Sequence, residues 1–206
     1  MNDKIRQLLQ QITILQDELR ATLQQQKGRV NYRIQGRRVA FERAVRDAHN
    51  KLKTGIISWL LSVPLKSFLA LPVIYAMIIP LLLMDIFISV YHAICFPVYG
   101  IPKIRRNDYI VFDHQHLAYL NAIEKLNCIY CSYANGLIAY AREITARTEQ
   151  YFCPIKHARK ILGSHERYPL YLEYGEAEDY PSRLEKFRAA LAQEVAESQQ
   201  RNNDVH

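Results

Sequence analysis

GIISWLLSVPLKSFLALPVIYAMIIPLLLMDIFISVYHAICFPVY, residues 55–99, is the stretch on which the fold turns. Its only formal charges are Lys66 and Asp85, and the 18 residues 67–84 carry none. One helical crossing of a bilayer needs about 20 mostly apolar residues, so this is a membrane segment by composition. It also lies too deep in the chain for a cleaved signal peptide.

Two arrangements fit. A single helix over residues 69–90 would leave 56–65 as an interfacial stretch. A helical hairpin would use nearly all of the segment and turn near Met77–Pro80. Lys51 and Lys53 precede the segment, and Lys103, Arg105 and Arg106 follow it. Positive charge gathers on the cytoplasmic side of membrane helices. Basic flanks at both ends therefore favour a hairpin, or a re-entrant segment that never crosses. They also place the soluble parts in the cytoplasm. Pro64, Pro72 and Pro80 recur every eight residues and are expected to kink or interrupt a helix. Asp85 has two readings: a group facing a bundle, partner or ion, or an acid near the headgroups.

The chain of 206 residues has a formal net charge of +7. Nine Lys or Arg stand between positions 27 and 53 against Glu42 and Asp47, so this stretch alone carries a local excess of seven. Next to a membrane segment, such a region, Arg37 and Arg38 included, reads as attraction to anionic headgroups. No nucleic-acid-binding motif accompanies it, so nucleic acid is not an expected partner. Before it, Ile5, Leu8, Ile12, Leu15, Leu19 and Thr22 alternate three and four residues apart, the a and d spacing of a coiled coil. A helix over 3–26 is expected, either joining copies of the chain or packing on its own domain. Val30, Tyr32 and Ile34 alternate with polar residues as in a short strand. A helix over 37–53 is expected to follow.

The organisation expected is thus mainly all-α: a coiled-coil or amphipathic helix (1–26), a basic juxtamembrane region (27–54), a membrane segment (55–99), a helical domain (100–199) and a disordered tail (200–206). In that domain Asp113 is a candidate N-cap for a helix holding His114 and His116 and running to Tyr133, with Asn135 and Gly136 as its stop. A second, antiparallel helix over 137–151 is then expected before Pro154. Pro181 opens a last helix whose apolar stripe is Leu184, Phe187, Leu191 and Val195.

Chemistry concentrates in the same domain. Glu124, Cys128 and Cys131 share one helical face, and Glu143, Arg147 and Gln150 repeat that spacing. An antiparallel pair would draw Cys153 and His157 toward the start of the first helix. Two donor sets follow. Cys128, Cys131, Cys153 and His157, spaced C-x2-C-x21-C-x3-H, suit a tetrahedral zinc or an iron–sulfur cluster. Asp113, His116, Glu124, Glu143 and His157 suit non-haem iron. Packing cysteines without metal are the plain alternative, and structural disulfides are disfavoured in the cytoplasm. Ten of the fourteen tyrosines lie beyond Gly100, which points to a wet–dry boundary. No catalytic triad, phosphate loop or nucleotide fingerprint is present.

The run from Cys95 to about Gly175, with NCIYCSYANG at its centre, resembles a family of small bacterial membrane proteins. The resemblance implies a bacterial membrane location and carries no particular activity. It also favours His116 over His114 as a ligand. Three functions follow from the sequence: a membrane-anchored metal-binding accessory or scaffold protein, a metal-dependent oxidoreductase acting on a membrane-borne substrate, and a metal-free structural subunit of a larger membrane complex.

Overall fold

The computed structural model describes residues 3–27, 32–35, 38–41, 43–53, 55, 58, 61 and 64–203. The chain is almost wholly helical, with α1 (Asp3–Lys27), α2 (Arg43–Lys51), α3 (Leu65–Ala76), α4 (Ile78–Tyr99), α5 (Ala122–Phe152) and α6 (Tyr180–Asn203). The one departure is a two-stranded antiparallel hairpin, β1 (Tyr32–Gln35) and β2 (Arg38–Phe41), pairing Tyr32 with Phe41 and Gln35 with Arg38. The strand expected around Tyr32 and Ile34 is present, whereas the helix expected over 37–53 begins only at Arg43. Val30, Arg37 and most of residues 56–63 lie outside the described residues.

The chain forms two compact units, one of residues 1–56 with 113–122, the other of residues 57–112 with 123–206. In the first, α1 exposes Ile12, Leu15 and Leu19, three of its heptad positions. Its second segment carries a 3₁₀ turn, His114–His116. Asp113 makes no side-chain cap there, and the long helix starts only at Ala122. The ring of His49 meets that of Tyr119 edge-on at 5.2 Å.

The second unit is built on α3 and α4. Lys66–Tyr99, 34 residues, is the one helix among those described that is long and apolar enough to cross a membrane. The chain does not reverse at Met77–Pro80. Met77 keeps right-handed helical angles (φ −61°, ψ −14°), and its N–H bonds to the Ile74 carbonyl at 3.3 Å. Pro80 brings no N–H, so the ladder is interrupted, but in the first turn of α4 that donor is unused anyway. The proline marks a break in the ladder and not a hairpin.

Gly100 ends α4. Its φ of 65° is left-handed, a conformation open to glycine at little cost. The Gly100 N–H bonds to the Pro97 carbonyl at 3.3 Å and the Ile101 N–H to the Phe96 carbonyl at 2.8 Å. This is a Schellman cap, sealed by apolar contact between its two flanks. Phe96 and Ile101 both lie in the core with Ile104, Ile110, Leu137 and Ile144. Residues 101–112 therefore fold back over α4.

α5 then runs in the same direction as α3 and α4. Tyr75 bonds to Asn127, Tyr133 to Asp85 at 2.8 Å, Tyr140 to His92 at 3.2 Å and Tyr91 to Thr148 at 3.0 Å. From Tyr75–Asn127 through Asp85–Tyr133 to His92–Tyr140 the partner numbers rise together, which defines parallel neighbours, and Tyr91–Thr148 keeps the same direction at the far end. The expected break at Asn135–Gly136 is absent. The Asn135 amide bonds back to the Cys131 carbonyl at 2.9 Å within an unbroken helix. Gly136 serves a close approach: a Cβ there would stand 2.6 Å from the Tyr109 carbonyl oxygen and 2.9 Å from the Ile110 Cα. Glycine is needed because the returning chain crosses α5 backbone to backbone.

Gly136→Ala would gain about 1 kcal/mol of helix propensity against an overpacking cost of roughly 1–3 kcal/mol. The expected result is a lower melting temperature in detergent by circular dichroism, despite the better helix former.

Candidate functional site

One face of α4 carries its polar groups. Asp85, Ser89 and His92 follow at i, i+4 and i+7, and Phe96 extends the row. The Asp85 side chain is 17% exposed. It accepts hydrogen bonds from Arg106 (2.5 Å), Tyr133 (2.8 Å) and Ser89 (3.2 Å). Burial, the hydrogen bond to Asp85 and the charge of Asp85 together push the Tyr133 phenol up to about 12, against a smaller opposing effect of Arg106. It thus stays protonated and donates. Of the two readings of Asp85, the inward-facing one fits its position, and its partners belong to the chain itself.

Two turns on, His92 is buried. Its Nε2 accepts the Ile104 N–H at 2.9 Å, so in the neutral ring the proton is on Nδ1 and donates to the Tyr140 oxygen. The imidazole satisfies a backbone N–H of the return loop inside the core. Sequence reasoning passed over His92. The signal was its place on the same stripe as Asp85 in an otherwise apolar helix.

The second polar centre lies at the far end of α5. Arg167 donates to Glu194 at 2.7 and 2.9 Å, to Gln150 at 2.8 Å and to Glu143 at 3.0 Å. Arg147 donates to Glu143 at 2.8 Å and to the Pro102 carbonyl at 3.0 Å. Burial works against the Arg167 charge, but the hydrogen bonds of Glu194 and Glu143 and their negative charge outweigh it and raise its pKa. Burial likewise opposes the Glu194 charge, and the bonds to Arg167 prevail and hold its carboxyl below the usual range. Two guanidinium groups meet two carboxylates: Arg147 bonds within α5 to Glu143 and across to Pro102 of the return loop, and Arg167 ties residues 163–170 to α5 through Glu143 and Gln150 and to α6 through Glu194. This is a clamp between elements. Glu143, Arg147 and Gln150 were legible as one face of a helix, whereas Arg167 and Glu194 are brought in by folding alone.

The donor sets for metal do not assemble. Among the described residues no group of three or more His, Cys, Asp or Glu is placed to hold an ion. The reason is the continuity of α5. Cys131 and Cys153 are 22 positions apart on or just past one straight helix, about 33 Å at 1.5 Å per residue. The antiparallel pair that would have drawn Cys153 and His157 back toward the cysteines does not form. Cys128 is half-buried, Cys131 and Cys153 are exposed, and all four cysteines are free. The His157 N–H bonds to the Tyr168 hydroxyl at 2.7 Å. The second set fails likewise: Glu124 and Glu143 are 19 positions apart on α5, and Glu143 is engaged by the two arginines. Zinc, iron and an iron–sulfur cluster thus lose their proposed ligands, and a metal-dependent oxidoreductase loses its centre.

Lys51, Lys53, Lys103, Arg105 and Arg106 are exposed, and Arg106 reaches Asp85. No protein-family model, curated protein or solved structure matches this chain.

Two outcomes follow. A carboxyl held low in the folded state binds its proton at lower pH than in the unfolded chain, so its stabilisation is full above about 4.3 and is lost as pH falls through the folded value. Thermal unfolding should therefore shift to lower temperature on acidification from pH 5 to about 3, and Glu194→Gln should flatten that decline. Cys131→Ser and Cys153→Ser should each change unfolding free energy by less than about 0.5 kcal/mol in urea titrations, as for surface substitutions away from any special feature.

Proposed function

We propose that this chain is a membrane-associated, metal-free structural or accessory subunit, a scaffold that holds a polar helical domain at a bilayer surface. One observation carries the reading. Between Ile79 and Val98, every exposed position of α4 is apolar: Ile79, Pro80, Leu82, Leu83, Ile86, Phe87, Val90, Ala93, Ile94, Pro97 and Val98. Phe87 and Val98 are each 73% exposed. A helix that served as the core of a soluble domain would bury such a stripe, and patches of this size mark interaction surfaces. Eight large side chains at about 1 kcal/mol each for the part left exposed represent roughly 8 kcal/mol of unrealised burial.

The remaining features fit a scaffold in a bacterial inner membrane with its polar parts in the cytoplasm. The coiled-coil spacing of α1, with Ile at a and Leu at d in its first heptads, favours parallel self-association. Its exposed Ile12, Leu15 and Leu19 are available for it. Basic residues before α3 supply attraction to anionic lipid. A larger membrane complex would use the same surface display. The polar groups at Asp85 and at the Arg147–Arg167 cluster are engaged with one another, as expected of a support.

Flotation with vesicles of phosphatidylethanolamine and phosphatidylglycerol is the direct measurement. The wild-type chain is expected in the lipid fraction. The double variant Phe87→Asp, Val90→Asp is expected to partition at least tenfold less, with unchanged helical content by circular dichroism. Equal flotation of the two would remove α4 as the lipid-binding element.

A further inference from the structure

We infer that α4 does not cross the bilayer but lies along it, within one leaflet, its apolar face toward the acyl chains and the return loop toward water. This rests on the membrane association proposed above and specifies how that same helix meets lipid.

The return loop carries the inference. α4 is 22 residues long, about 33 Å, close to the roughly 30 Å thickness of a hydrocarbon core. Residues 103–108 are tied to its middle, through the Ile104 N–H on His92 and Arg106 on Asp85. Lys103, Arg105, Asn107 and Asp108 are exposed beside that middle, and only a single 3₁₀ turn, Arg106–Asp108, interrupts an otherwise irregular backbone. An upright α4 would carry these charges and this backbone to hydrocarbon depth. Lipid-facing irregular backbone does not occur there, and charges are found there only when shielded.

Moving the crossing to residues 67–84 does not help. It would leave Ile86, Phe87, Val90, Ile94 and Val98 in water. It would also draw in the first turns of α5, with Glu124 and Lys125, because Asn127 and Tyr130 bond to Tyr75 and to the Ile74 carbonyl. Lying flat removes both conflicts. At 100° per residue, Asp85, Ser89, His92 and Phe96 face one way and Leu83, Ile86, Val90 and Ile94 the other. The loop is bonded to the first side, so the second is free of it. Interfacial helices bury such a face about 5–10 Å below the headgroups. Lipid fits the face better than a protein partner does. Protein interfaces average only about 56–58% apolar area with a polar rim, whereas this stripe has no polar position from Ile79 to Val98. The basic residues of the return loop then stand on the water side, and both ends of α4 on the same side of the membrane.

The test uses the full-length chain in vesicles of phosphatidylethanolamine and phosphatidylglycerol, with Cys95, Cys128, Cys131 and Cys153 replaced by serine. Nitroxides are attached at Ile79→Cys, Phe87→Cys, Val98→Cys and, separately, Arg105→Cys. Electron paramagnetic resonance should place the first three at one common shallow depth and the fourth in water. A second measurement keeps the native cysteines. Short tags at the two ends of the chain should be cleaved together by protease added to sealed membrane vesicles of one orientation, and protected together in the other. Depths that step across the bilayer from Ile79 to Val98, or tags cleaved from opposite faces, would overturn the in-plane arrangement and leave membrane association standing. A chain that does not float with the vesicles would overturn both.

Discussion

The backbone crossing at Gly136 is the constraint on which the second unit depends. The Schellman cap at Gly100 sends residues 101–112 back over α4, and they can close the core only by passing α5 at backbone distance. Ile101, Ile104 and Ile110 from the loop and Leu137, Tyr140 and Ile144 from α5 then bury one another. Two parallel helices joined by a 22-residue connection have no hydrogen-bonded ladder between them. Their register is set by that apolar core and by a row of tyrosine hydroxyls reaching from one helix to the other.

The same packing explains how an apolar helix tolerates an aspartate and a histidine. Each sits on the covered face and satisfies a group brought by the return loop: Asp85 the guanidinium of Arg106, His92 the N–H of Ile104. An unmet backbone N–H or carboxylate in this core would cost on the order of 1–3 kcal/mol or more. The polar stripe is therefore part of how the loop is held, and the apolar face opposite is left for the surroundings. A helix of membrane composition thus has two different sides, one covered by the return loop and one apolar and exposed.

Some of this was readable from residue order. α1, the apolar segment and the last helix follow from periodicity and length, local properties that tertiary contacts here leave unchanged. The shared face of Glu143, Arg147 and Gln150 was legible for the same reason. Asn135–Gly136 reads as a helix stop because glycine and asparagine tolerate a left-handed cap. The same pair in mid-helix serves instead a glycine against a crossing strand of backbone and an amide bonded one turn back. That single ambiguity turned one long helix into an expected antiparallel pair, and with it a dispersed set of cysteines into a metal site.

By itself, the sequence determined where apolar surface is concentrated, that the chain is mainly helical, and which residues could share a helical face. These depend on side-chain chemistry and on the 3.6-residue repeat. The tertiary structure decided what depends on contacts between distant positions: that α4 and α5 run parallel, that Arg167 and Glu194 complete the charge set begun by Glu143, and that Cys128 and Cys131 stay apart from Cys153 and His157. It also decided which side of α4 is covered. Composition gives a helix enough apolar residues to cross a membrane, but only the loop folded over its middle shows that its exposed apolar face runs along one side.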